Sequence, residues 1–288
     1  MHVFRSRAKV TILLNGLQVD DMQTQALPRV RPPAVAGRFY AADPATLSRD
    51  VQALLGAATR HGPQPKAIIV PHAGYVYSGA VAASAYALLG DSRTRLERVV
   101  LLGPSHRHAL QGMAVPAADA FMTPLGTLAL YRPGIDALAA MPGVQVADAP
   151  HALDHALEVQ LPFLQAQLDN FSLLPIAVGA CQADLVADAL ECVWGGAETL
   201  VVVSTDLSHF HRDDQARVID RNTSELILRR EATLTGAQAC GCHALNGLLK
   251  VAQRRDLKVQ LLDRRTSADS AGDRARVVGY ASFAVDAA

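Results

Sequence analysis

Three short apolar runs, each followed closely by a histidine-bearing loop, constrain the fold more than any other feature of the sequence. The runs and their histidines are residues 67–70 with His72, residues 98–103 with His106, and residues 199–204 with His209. Apolar runs of this length, bounded by turn signals and helix-like segments, predict buried strands. In open α/β sheets, ligands bind at the carboxyl edge of the strands. The sequence therefore predicts that the three histidines line one pocket.

The alternation of strand-like and helix-like segments continues along the chain. It predicts an α/β fold: a single three-layer αβα domain with a largely parallel or mixed sheet. We expect this domain to span residues 31–288. We expect residues 1–30 to form a poorly ordered extension, with Met22 as an alternative start to Met1.

Composition excludes several classes of function. Lysine plus arginine and aspartate plus glutamate number 27 each in the 288 residues, so no basic excess favours a nucleic-acid or membrane partner. No apolar stretch approaches the roughly 18 residues that cross a bilayer. The four cysteines form no disulfide or paired zinc pattern, which favours a reducing cytoplasm. Glycine-rich nucleotide motifs and the G-x-S-x-G elbow are also missing.

The remaining candidates are imidazoles, a carboxylate and a thiol. Asp206 lies three residues before His209, and Cys240 precedes a helix-like segment whose amide dipoles would favour a thiolate. Two imidazoles plus one anionic ligand suit a mononuclear iron site, and two imidazoles plus a thiolate also suit copper or zinc. From the residues alone, an inert buried Cys240 stays an alternative, and whether Cys240 and Cys242 form a redox pair stays open.

A second candidate pair lies in residues 151–163. Leu157, Leu161, Leu164 and Leu168 predict the core face of a helix in this part of the chain. His155 and Glu158 are three residues apart and would share another face of that helix. They are candidates for acid/base groups or for a simple surface pair. Asp154 is a candidate for the cap of the helix.

At this point the residues match a family. The chain resembles the Memo family, known in microbes as AmmeMemoRadiSam system protein B, from about residue 31 to the carboxyl terminus. The matching motifs are A-G-R-F-Y (36–40), P-H-A-G-Y-V-Y-S-G (71–79), L-G-P-S-H (102–106), D-H-A-L-E-V-Q-L-P-F (154–163), S-T-D-L-S-H (204–209) and C-G-C-H (240–243).

The resemblance implies a fold similar to that of class III extradiol dioxygenases. It also implies a metal pocket formed by His72, His106 and Cys240, with Asp206 and His209 alongside as acid/base or orienting groups. Iron is the expected metal, copper is the alternative, and zinc would be an adventitious occupant. Dioxygenases of this fold use a carboxylate as third ligand where this chain has a thiol, and a soft thiolate changes the metal preference.

Two functions follow from the resemblance. The first is a metal-dependent redox or dioxygenase-like activity on an unknown small molecule. The alternative is a non-catalytic binding or scaffold protein that uses the same pocket for a peptide or an anionic ligand. The resemblance further implies a radical-SAM protein and an AMMECR-type protein as partners.

Overall fold

The structure, a computed structural model, describes residues 28–59, 62–270 and 273–286. Most of the expected N-terminal extension, and both candidate start residues, lie outside the described residues. The strands are β1 (Val30–Arg31), β2 (Ala67–Val70), β3 (Arg98–Pro104), β4 (Met113–Val115), β5 (Ala120–Thr123), β6 (Gly126–Ala129), β7 (Val144–Val146), β8 (Ser172–Val178), β9 (Thr199–Ser204), β10 (His209–His211), β11 (Lys258–Thr266) and β12 (Val277–Asp286).

Eight α-helices accompany these strands within the described residues. They are α1 (Pro44–Ala57), α2 (Tyr75–Tyr86), α3 (Arg132–Ala139), α4 (Ala149–Ala152), α5 (Leu161–Gln167), α6 (Ala183–Cys192), α7 (Asp213–Leu228) and α8 (Cys242–Arg254). Short 3₁₀ helices occupy Ala87–Ser92, Glu158–Gln160 and Ser267–Asp269. None of the helices among the described residues is long and apolar enough to cross a membrane.

A mixed sheet of nine strands forms the centre of the molecule and is flanked by helices. Its order is β10-β12-β2-β9-β3-β8-β4-β7, and β11 pairs with the far part of β12. The four middle strands, β2, β9, β3 and β8, are mutually parallel. Strand β12 is antiparallel to β2, and β4 is antiparallel to β8. This architecture confirms the predicted α/β class with a mixed sheet. Strands β1, β5 and β6 form a separate small sheet.

The middle strands show why their sequences are continuously apolar. Every residue of β2 and β9 is buried, as expected for parallel strands covered on both faces. Both strands coincide with the predicted runs, and β3 extends one residue beyond its run. These strands end at the same edge of the sheet, so the loops that follow them lie side by side.

The first helix also follows its sequence signals. Asp43 caps α1 by accepting a hydrogen bond from the amide of Thr46 at 2.8 Å, and Pro44 occupies the first turn. Leu47, Val51 and Leu55 form its buried stripe.

The expected helix with Leu157, Leu161, Leu164 and Leu168 on its core face forms only in part, because α5 begins at Leu161 and ends at Gln167. Helix α4 ends at Ala152, and a turn precedes the 3₁₀ helix Glu158–Gln160. The Asp154 carboxylate accepts from the amide of Ala156 at 2.9 Å, and such local bonds compete with the helical ladder. His155 therefore lies in the turn and does not share a helix face with Glu158.

Candidate metal centre

The loops after β2, β3 and β9 bring polar side chains together at one edge of the sheet. Three imidazoles, those of His72, His106 and His155, each offer a ligand nitrogen, and these nitrogens all lie within 4.8 Å of one another. The rings of His106 and His155 are stacked with centroids 4.8 Å apart, and both lie close to the ring of His72, with centroids 5.2 Å away. His155 enters this group as a third nitrogen, whereas the sequence suggested an acid/base group or a surface pair with Glu158.

Residues at the end of β9 and in the loop after it hold His72 in place. Its amide donates to Asp206 at 2.7 Å, and its Nδ1 lies 2.9 Å from the Ser204 hydroxyl. That hydroxyl has a single proton, which it donates to the carbonyl of Ala156 at 2.7 Å. Ser204 must therefore accept from Nδ1–H of His72, which leaves the Nε2 lone pair free for a ligand.

Asp154 holds His106 in place and lies next to His155, whose Nδ1 is 3.9 Å from its Oδ1. Its carboxylate accepts from the backbone amides of His106, Arg107 and Ala156, and its Oδ1 lies 3.3 Å from Nδ1 of His106. Burial opposes the charge, but the hydrogen bonds from His106 and Ala156 outweigh it and hold the pKa of Asp154 well below its usual range. The sequence suggested Asp154 only as a helix cap, so its contact with His106 was missed.

The cluster keeps its buried imidazoles neutral. Burial, reinforced by the neighbouring histidines, lowers the pKa of His72 well below its usual range. Burial and His106 lower the pKa of His155 to about 4. At neutral pH both rings therefore present lone pairs, which is the state in which imidazole binds a metal.

Cys240 lies beside His72. Its sulfur is 3.2 Å from Nε2 of His72 and accepts from the amide of Asp206 at 3.3 Å. Burial, with a contribution from Asp206, raises the pKa of the Cys240 thiol to about 12. Helix α8 begins only at Cys242, so Cys240 lies outside it, and burial outweighs the amides that favour a thiolate. A cation beside the sulfur would reverse this balance.

Asp206 and His209 lie at the same edge of the sheet, after β9. Burial outweighs the amides of His72 and Ala73 and raises the pKa of Asp206 to about 7. Nδ1 of His209 lies 2.8 Å from the carbonyl of Leu207, so it must donate, and this leaves Nε2 unprotonated in the neutral ring. Burial lowers the pKa of His209.

Glu158 belongs to a different network. Its side chain is fully buried and pairs with Arg31 at 2.6 Å. It also accepts from the amides of Ala34 and Val35 and from the hydroxyl of Tyr40. These bonds tie the chain before α1 to the segment that carries His155. Glu158 therefore stabilises the position of that segment.

Comparison with known proteins adds a family. The family model described as "Memo-like protein" matches residues 31–284. A MEMO1 family protein of Aquifex aeolicus is 34% identical over 266 residues, covering 88% of this chain and 97% of the relative. MEMO1 family proteins of Methanopyrus kandleri and Archaeoglobus fulgidus are each 32% identical, again over 88% of this chain and 98% of the relative.

One solved structure overlaps more loosely. The crystal structure of the uncharacterized protein JW3007 from Escherichia coli K12 covers 75% of this chain and 98% of its own, with a TM-score of 0.46 and 13% sequence identity. A similarity at this level carries no information about function.

Proposed function

The chain belongs to the Memo-like protein family, and from that premise we propose that it binds one redox-active metal ion through His72 and His106. The proposed activity is a metal-dependent redox or dioxygenase-like reaction on a small molecule. The observation that carries the proposal is the cluster of three imidazoles with ligand nitrogens within 4.8 Å of one another. Burial keeps His72 and His155 neutral, and Ser204 leaves Nε2 of His72 unprotonated.

Two side chains compete for the third ligand position. His155 is already grouped with His72 and His106. The sulfur of Cys240 lies 3.2 Å from Nε2 of His72. Two ligands of one zinc ion, at bond lengths of 2.0 to 2.3 Å, lie roughly 3.3 to 3.6 Å apart, so His72 and Cys240 would have to separate by a few tenths of an ångström to share a metal. A thiolate would favour copper or iron, and a third imidazole suits iron or zinc.

The neighbouring groups are suited to hold and move protons. Asp206, with a pKa of about 7, exchanges its proton at neutral pH. His209 presents an unprotonated Nε2 at the same edge of the sheet. A bound iron or copper ion would bind and activate oxygen or a small phenolic molecule at its open coordination positions.

We extend the proposal to the cellular setting. A reducing cytoplasm would keep Cys240 available as a ligand. A radical-SAM protein and an AMMECR-type protein are the proposed partners, on the strength of the family resemblance.

Elemental analysis of untagged protein purified without oxygen tests the metal. We expect close to one iron or copper ion per chain, and we expect His72→Ala to remove it while circular dichroism stays unchanged. His155→Ala and Cys240→Ser, measured in parallel, identify the third ligand by which of them loses metal. Cys192→Ser, at an exposed cysteine, is the matched control.

A protein that holds no metal even after anaerobic reconstitution would contradict the proposal. The same pocket would then be a binding module for a peptide or an anionic ligand, and ligand binding insensitive to chelators would establish that role.

A further inference from the structure

Tyr280, on β12, is a largely buried residue whose hydroxyl has no hydrogen-bond partner in the described part of the chain. Only 2% of the residue is exposed. Its hydroxyl makes no hydrogen bond to any side chain or backbone group within residues 28–59, 62–270 and 273–286, although Tyr40, Tyr75 and Tyr86 each donate to a protein oxygen. The fully buried side-chain atoms without a partner are others, those of His151, Ser208, Asp220, Thr223 and Ser282. The Tyr280 oxygen therefore retains some access to solvent and can be reached by a bound molecule.

The glycine before Tyr280 shows on which face of β12 the tyrosine side chain lies. A Cβ at Gly279 would overlap the carboxylate of Asp220 on α7, so the α7 side of β12 is filled at that position. Successive residues of a strand point to opposite faces, and Tyr280 therefore points away from α7. The opposite side holds α2, whose first turn carries Tyr77 directly after the loop of His72.

The register places Tyr280 at the level of the histidines. Strand β12 pairs with β2 through Phe283 opposite Ile69 and Val285 opposite Ala67. The same register, continued past the end of β2, brings Tyr280 level with His72. Gly279 also exchanges two backbone hydrogen bonds of 2.8 Å with Leu207 and Ser208, which fixes β12 against the loop of Asp206 and His209.

The electrostatic surroundings agree with this placement. Burial, followed by the charge of Asp206 and then Tyr77, raises the pKa of Tyr280 well above its usual range. The hydroxyl is therefore fixed as a proton donor at any physiological pH. Tyr77 is 40% exposed, so Tyr280 lies between a buried carboxylate and a side chain that reaches the surface.

We propose that Tyr280 donates a hydrogen bond to an anionic oxygen of the molecule that binds at the histidine cluster. The ligand class is a small molecule with an oxyanion, and the aromatic ring of Tyr77 would line the open side of the pocket. This inference rests on the proposed function for the location of the ligand. It adds a substrate-binding residue that the sequence motifs did not single out.

The test compares two probes that differ only at the oxygen. Equilibrium dialysis measures the binding of 4-nitrophenolate and of 4-nitroanisole, which has the same ring but no oxyanion, to metal-free and metal-reconstituted protein. We expect Tyr280→Phe to weaken 4-nitrophenolate binding about tenfold or more, because a charge-assisted hydrogen bond is lost. Binding of 4-nitroanisole and the metal content should be unchanged. Tyr131→Phe, which removes a hydroxyl that accepts from Arg98, is the matched control.

The outcomes separate this inference from the proposed function. Equal 4-nitrophenolate affinity in Tyr280→Phe and wild type would overturn the inference, and so would a wild type that binds neither probe or does not prefer the oxyanion. A wild type without metal would overturn the proposed function. In that case the role of Tyr280 is still tested by comparing the 4-nitrophenolate affinities of the metal-free wild type and the metal-free Tyr280→Phe variant.

Discussion

At the scale of single residues, Asp154 decides how the site is held together. One carboxylate accepts from three backbone amides and lies beside the ring of His106. Carboxylates that orient a ligating histidine typically contribute a factor of 10 to 100 in metal affinity. We therefore expect Asp154→Asn to weaken metal binding by about that factor while the fold stays intact. Competition with a chromophoric chelator measures the affinity.

Asp148→Asn is the control for this variant. Asp148 also accepts from two backbone amides, those of Ala117 and Ala118, but among the described residues it makes no hydrogen bond or ion pair with the histidine cluster. Its variant should bind metal as the wild type does. Equal affinity in Asp154→Asn and Asp148→Asn would show that Asp154 has no orienting role.

The residues of the site differ in how far the sequence predicts them. His72 and His106 follow apolar strands, and strand ends meet at one edge, so their proximity was predictable. The placement of His155 was not, because a spacing of three residues to Glu158 is the same in a helix and in a turn. The outcome depends on long-range bonds from Asp154 to the loop after β3, which local periodicity does not contain.

At the scale of elements, the packing of β12 against α7 positions the loop between β9 and β10. The Asp220 carboxylate on α7 accepts from the amide of Ser208, directly before His209, and it fills the space beside Gly279. We expect Gly279→Ala to destabilise the protein by about 1 to 3 kcal/mol, as overpacked sites do. Urea unfolding measures the change in the free energy of unfolding.

Gly236→Ala is the matched comparison. A Cβ at Gly236 has no neighbour within 4 Å, so this variant should change stability by less than about 1 kcal/mol. If both variants unfold at the same urea concentration, the tight contact between β12 and α7 does not contribute to stability.

The strands differ in how far the sequence predicts them. The middle strands are buried on both faces and appear in the sequence as continuous apolar runs. Strand β10 has only three residues and an irregular register against β12, and β11 carries Asp263, Arg264 and Arg265 at its partly exposed end. Their pairing with β12 forms these strands despite a polar sequence, so β11 runs on through residues 263–266.

At the scale of the whole molecule, buried histidines couple stability to pH. His151 is buried, its Nε2 donates to the carbonyl of Ala114 at 3.1 Å, and burial lowers its pKa to about 4. An unfolded histidine has a pKa of about 6.5. Between these values the unfolded chain binds a proton that the folded chain does not, so the free energy of unfolding falls as the pH falls.

Other buried groups also make the free energy of unfolding depend on pH in this range, and not all of them in the same direction. His155, with a pKa of about 4, destabilises the fold on acidification as His151 does. Asp206 has the opposite effect, because its folded pKa of about 7 lies above the unfolded value of about 3.9. The folded chain therefore binds a proton at Asp206 that the unfolded chain lacks. Only the difference in stability between a variant and the wild type isolates the contribution of one residue.

His151→Gln provides that difference, since the glutamine amide can still donate to the Ala114 carbonyl but does not titrate. We expect wild type to lose about 2 kcal/mol more stability than this variant between pH 7 and pH 5, from the separation of the two pKa values. Urea unfolding at each pH measures the loss, and His108→Gln, at an exposed histidine, should follow the wild type. Parallel curves for His151→Gln and wild type would mean that His151 takes up its proton in the folded protein, and the neutrality inferred for the other buried histidines would then need direct measurement.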